Sequence, residues 1–105
     1  MKVKIRKEVK FGAWRYAVKL VRGLKLKDGV WGDCQHVHYI VRIDKDLPEL
    51  ERMSVFIHEA LHIINEQYCI SLDEDAIRRL ENGLTEFMRE NLGIEFDWSL
   101  IEEAP

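Results

Sequence analysis

His58-Glu59-Ala60-Leu61-His62 decides how the rest of this 105-residue chain is read. Two histidines four positions apart stand on one face of a helix, one turn above the other. Neutral imidazoles in that relation can supply two ligands to a single Zn²⁺, which binds histidine nitrogen at about 2.0–2.1 Å. The glutamate beside the first histidine is placed to take a proton from a metal-bound water, so the pattern H-E-x-x-H carries both a metal site and a base. The stretch therefore predicts a helix, one Zn²⁺ held by His58 and His62, and Glu59 as the catalytic group.

The neighbouring residues set the length of that helix at 47–68. Pro48 suits a first turn, Asp46 or Leu47 falls where a cap belongs, and Glu49 and Glu51 face the positive end of the helix dipole. Leu50, Met53, Ile57, Ala60, Leu61, Ile64 and Tyr68 recur at threes and fours and predict a core face bordered by the two histidines. A second helix is expected over 73–91, capped by Ser71 or Asp73 and stopped by Asn91 and Gly93, with Ile77, Leu80, Leu84, Phe87 and Met88 as its apolar stripe. The connection between them is short enough to predict an antiparallel pair.

A catalytic zinc site takes three protein ligands, and the second helix offers acidic candidates. His62 lies about 9 Å from the end of its helix at 1.5 Å per residue, and an antiparallel partner descends by a similar length at Glu81. Glu81 also falls within the apolar stripe, where a carboxylate without a cation costs several kcal/mol. Glu81 is therefore the expected third ligand, and Glu74, which descends less far, is the alternative.

Upstream, residues 1–45 alternate as strands do: Val3 to Val9, Trp14 to Val21, and His36 to Ile43, with a turn at Lys27-Asp28-Gly29. Three or four antiparallel strands are expected, followed by the two helices, as one α+β domain over 1–105. Cys34, His36 and His38 alternate, so on a strand they would point to the same side, and they are candidates for a second metal. Asn65, one turn beyond His62, is either an outer hydrogen bonder to the metal site or a plain surface residue. The tail, 94–105, is acidic but carries Phe96, Trp98, Leu100 and Ile101.

Composition narrows the class. Residues 1–45 hold 12 Lys or Arg against 4 Asp or Glu, and residues 46–105 hold 4 against 15, giving the overall −3. That division predicts a basic sheet beside acidic helices; no nucleic-acid-binding motif accompanies it. No apolar run reaches the roughly 18 residues of a membrane span, and the basic start lacks the apolar stretch of a secretory signal. With only Cys34 and Cys69 as thiols, the expected setting is cytoplasmic, and the expected partner is a peptide or protein rather than nucleic acid or membrane.

The assembled residues resemble the gluzincin metallopeptidases, in which the two motif histidines and a glutamate on the following helix hold zinc. The upstream strands and Trp31-Gly32 look like those of minimal single-domain forms, the minigluzincins and short phage-associated proteins with the same motif. The resemblance implies peptide-bond hydrolysis; Glu59 is expected to take the water proton and pass it to the leaving amine, and the edge strand containing His36 to Ile43 to pair with an extended substrate. It assigns no oxyanion group; Tyr16, Tyr39, Tyr68, His36 and His38 are the candidates. It also implies a possible latent form in which the tail covers the cleft through Asp97, Glu102 or Glu103. In that form the protein would be a zymogen or a zinc-stabilised binding module.

Overall fold

Alternation in Trp14–Val21 builds the central strand, because Tyr16, Val18 and Leu20 fall on one side and are buried there. The computed structural model describes residues 1–104 and arranges them as β1 (Lys2–Lys4), β2 (Glu8–Phe11), β3 (Trp14–Val21), α1 (Leu24–Asp28), β4 (Gly32–Gln35), β5 (Ile40–Asp44), α2 (Glu49–Gln67), α3 (Glu74–Glu86), β6 (Glu95–Asp97) and β7 (Glu103–Ala104). A π-helical turn, Phe87–Asn91, extends α3.

The fold is α+β, but the sheet is mixed rather than antiparallel. Its order is β2-β3-β5-β4, with β7 also against β3. β2 pairs β3 and β4 pairs β5 antiparallel, whereas β3 pairs β5 in parallel, Ala17 opposite Ile40 through Val21 opposite Asp44. The connection explains the difference. After β3 the chain forms the five-residue α1, runs back as β4, turns over His36–Tyr39 and returns as β5, which inserts between β3 and β4. The strand expected over 36–43 is thus half turn and half interior strand, and the exposed edge on this side is β4. A separate parallel pair joins β1 to β6.

Asp44 holds this crossover together. It is buried, and its carboxylate accepts the backbone N–H groups of Lys25 and Asp46, both at 2.8 Å. The start of α1 and the approach to α2 are thereby tied to the end of β5. Helix α2 begins after Pro48, with Glu49 and Glu51 in its first turn and no side-chain cap from Asp46 or Leu47. It buries Met53, Phe56, Ile57, Glu59 and Ile63, while Leu50 and Tyr68 lie exposed at its ends.

α3 is capped as expected by Asp73, whose side chain accepts from the Ala76 N–H at 2.8 Å. Its inward face is Ile77, Glu81 and Thr85, and Leu80, Leu84 and Phe87 are exposed, which corrects the expected stripe. Glu81 is bonded to both Ser54 and His58 of α2, and that face of the helix turns inward.

The tail finishes the core. Trp98, 5% exposed, and Ile101 join Tyr16, Val18, Leu20, Val41, Ile43, Phe56 and Ile63 in one cluster. Phe96 and Trp98 meet Phe56 edge-on. Beyond them Glu102 pairs with Lys7 and Lys19, and Glu103 with Arg22 and Lys45. Acidic tail and basic strands therefore neutralise one another locally. Among the described residues no helix is long and apolar enough to cross a membrane.

Candidate metal centre

On α2 the one-turn spacing brings His58 and His62 together, with their Nε2 atoms 3.2 Å apart. Glu74, in the first turn of α3, closes the group: its Oε1 lies 2.9 Å from His58 Nε2 and its Oε2 2.9 Å from His62 Nε2. Asn65 makes this possible. Its side-chain oxygen accepts from Leu72 N–H at 2.8 Å and its amide donates to the Leu72 carbonyl at 3.2 Å. The connection is thus pinned one turn past His62, and α3 starts beside the motif.

Glu81 occupies a different place. Its Oε1 is 2.7 Å from His58 Nδ1, the outer ring nitrogen, and its other oxygen accepts from the Ser54 hydroxyl. The side chain is only 15% exposed. A carboxylate there accepts a hydrogen bond from Nδ1–H, and with the proton at Nδ1 the neutral ring presents its lone pair at Nε2. That lone pair points at His62 Nε2 and Glu74, which are also acceptors when His62 is neutral at that atom. One ligand atom from each of the three residues lies within 4.8 Å of the others, a grouping that could take a cation between them. Tetrahedral Zn²⁺ with ligands at about 2.05 Å spaces neighbouring ligand atoms by about 3.3 Å, close to the 3.2 Å between the two Nε2 atoms. His58, His62 and Glu74 could therefore hold a metal ion, and Glu81 is the outer carboxylate that fixes the His58 tautomer. Of the two acidic candidates, the structure brings the alternative, Glu74, to the inner nitrogens and the expected one, Glu81, to the outer.

Ser54 was not singled out in the sequence, although its position four residues before His58 places it on the same helical face.

Glu59 follows His58 on α2, lines the same small cavity and is 7% exposed. Burial pushes its carboxyl up to about 7, against the opposing pull of His58 and of a hydrogen bond from the Cys34 thiol. Burial also pushes the Cys34 thiol up, to about 12, with the Glu59 charge adding to the effect. A cavity of about 330 Å³ opens beside this carboxylate, walled by Trp31 and Gly32 on one side and by Val55, His58 and Glu59 on the other. Gly32 sets the width: a Cβ there would stand 2.5 Å from Val55 Cγ1 and 3.1 Å from the Arg42 carbonyl oxygen. A larger cavity, about 790 Å³, lies between α2 and the end of α3, but neither imidazole lines it.

The remaining candidates separate. Tyr16 hydroxyl and His36 Nδ1 are 3.0 Å apart, and His36 Nε2 is 3.6 Å from Cys34 Sγ. His38 is exposed and belongs to no metal-holding group of three among the described residues. Tyr39 stacks on Trp14, and Tyr68 is exposed near Gly12. The tail acids expected as cleft-covering groups are engaged elsewhere: Asp97 accepts from Ser99 N–H at 2.9 Å, and Glu102 and Glu103 are held by the basic residues already named. β7 lies on the side of β3 opposite β5, and so away from β4. No family model matches the chain, and no curated protein or solved structure does either.

Proposed function

We propose that this chain is a zinc-dependent metallopeptidase of minimal, gluzincin-like form, with α2 and α3 as an antiparallel pair that holds one Zn²⁺ through His58, His62 and Glu74. The observation that carries the reading is the commitment of His58 Nδ1 to Glu81, which turns the Nε2 lone pair onto two further acceptors. Zn²⁺ bound there supplies Lewis acidity and lowers the pKa of a coordinated water toward about 7. Glu59, buried at the cavity wall, takes the water proton and returns it to the leaving amine. β4, which ends the strand order, would pair its edge with an extended peptide and so orient the peptide toward the residues that would hold the metal. Gly32 keeps that edge close to α2. Ser54 and Glu81 hold the His58 ring still while this happens.

Metal analysis and a mixed peptide library test the reading together. Chain purified without chelators should retain one tightly held zinc and cleave peptides, and Glu59→Gln should retain the zinc and lose cleavage. Absence of bound metal in the native chain overturns the proposal. Zinc without cleavage by the native chain overturns the catalytic part and leaves a zinc-stabilised binding module.

A further inference from the structure

Outside the His58 group, a further pair of metal-binding atoms is turned face to face. Cys34, on the edge strand β4, and His36, in the turn that follows, place Sγ 3.6 Å from Nε2. Tetrahedral Zn²⁺ with sulfur at about 2.3 Å and nitrogen at about 2.05 Å sets those two atoms about 3.6 Å apart. The His36 ring is also anchored from behind, by the hydroxyl of the fully buried Tyr16 at 3.0 Å from Nδ1. When Nδ1–H donates to that oxygen, the Nε2 lone pair points where Sγ points, as Glu81 arranges for His58. Glu59 stands close enough to Cys34 for its charge to help push the thiol up. Among the described residues only His58, His62 and Glu74 have three ligand atoms mutually within 4.8 Å, so Cys34 and His36 are the preformed part and Glu59 joins by a side-chain movement.

We propose that Cys34 and His36 form a second, weaker cation site, selective for Zn²⁺-like ions, that draws in Glu59 and so removes it from the main centre. Thiolate and imidazole favour borderline and soft metals over Mg²⁺ or Ca²⁺, which take oxygen ligands. On binding, the sulfur electron pair forms the bond to the ion and the thiol proton leaves to solvent. The main centre offers three ligand atoms within 4.8 Å of one another and this site only two preformed ones, and this ranks the two sites. The ion-binding claim stands by itself, whereas the inhibitory consequence rests on the proposed role of Glu59.

Cobalt(II) titration of the metal-stripped full chain distinguishes the two sites, because only thiolate ligation gives sulfur-to-cobalt charge-transfer absorption. The first equivalent should bind without that band and the second should bring it. Cys34→Ser should abolish the band and weaken the second equivalent at least tenfold, and His36→Ala should weaken it likewise. Cys69→Ser should leave both equivalents unchanged. His58→Ala should abolish the first equivalent and spare the band, so failure of the main centre and failure of this site are separable. No band through two equivalents, or a band that survives Cys34→Ser, overturns the proposal. A second Zn²⁺ that binds with the expected signature yet leaves peptide hydrolysis unchanged overturns the inhibitory part alone.

Discussion

Replacing Glu59 by Gln should stabilise the metal-free protein, and only above a definite pH. The carboxyl is 7% exposed and its pKa is raised from 4.5 to about 7, with burial as the largest cause. A carboxyl with a raised folded pKa keeps its proton in the native state where the unfolded chain has lost it. The native state therefore binds more protons between these two values, and stability falls as pH rises through that window. A shift of about 2.5 units at about 1.36 kcal/mol each corresponds to about 3 kcal/mol, absent near pH 4.5 and fully developed above pH ~7. Gln has nearly the same shape and no charge to bury, so the variant escapes this loss. Urea unfolding in the presence of a chelator gives the test. The stability difference, variant minus native, should be near zero at pH ~4.5 and about +3 kcal/mol at pH ~8. A difference that is the same at both pH values, or that favours the native chain at the higher one, refutes the argument that a buried, destabilised carboxylate sits beside the metal centre.

Three further substitutions examine the geometry around the imidazoles and Glu59. Glu81→Ala should lower zinc affinity about 10- to 100-fold, as loss of an outer partner does, while Glu74→Ala should lower it further by removing an inner ligand. Competition titration with a chromophoric chelator reads both, and the reverse order would return Glu81 to the inner position. Gly32→Ala should lower stability by about 1–3 kcal/mol, because the new methyl group meets Val55 Cγ1 at 2.5 Å and the Arg42 carbonyl at 3.1 Å. Its urea midpoint measures this, and an unchanged midpoint would mean that β4 is free to move away from α2.

The motif was legible in the sequence because its geometry is local: residues four apart on a helix meet whatever the helix packs against. The placement of the two acidic candidates around the imidazoles was not, and the reason is specific. Matching descent along two helices assumes that the connection adds nothing to the axial position, and here it does. Cys69 and Ser71 both take left-handed backbone, φ 52° and 68°, although neither is glycine, and Asn65 grips Leu72 at both its N–H and its carbonyl. The chain therefore turns back at once and delivers the first turn of α3, with Glu74, to the level of His62. Glu81, seven residues later, then arrives at His58 from the outer side. Left-handed non-glycine residues leave little mark on a sequence. Strand direction was hidden for a related reason. Alternation in Trp14–Val21 and Ile40–Asp44 reports a buried face, and it is the same whether the neighbour runs parallel or antiparallel. Five residues of α1 are too few to show a helical period, yet with β4 they set β5 parallel to β3 and leave β4 at the edge. Both readings failed at a junction, where Asp44 or Asn65 satisfies backbone groups of a segment distant in sequence, and both junctions position the site: one presents β4 to α2, the other presents Glu74 to the imidazoles.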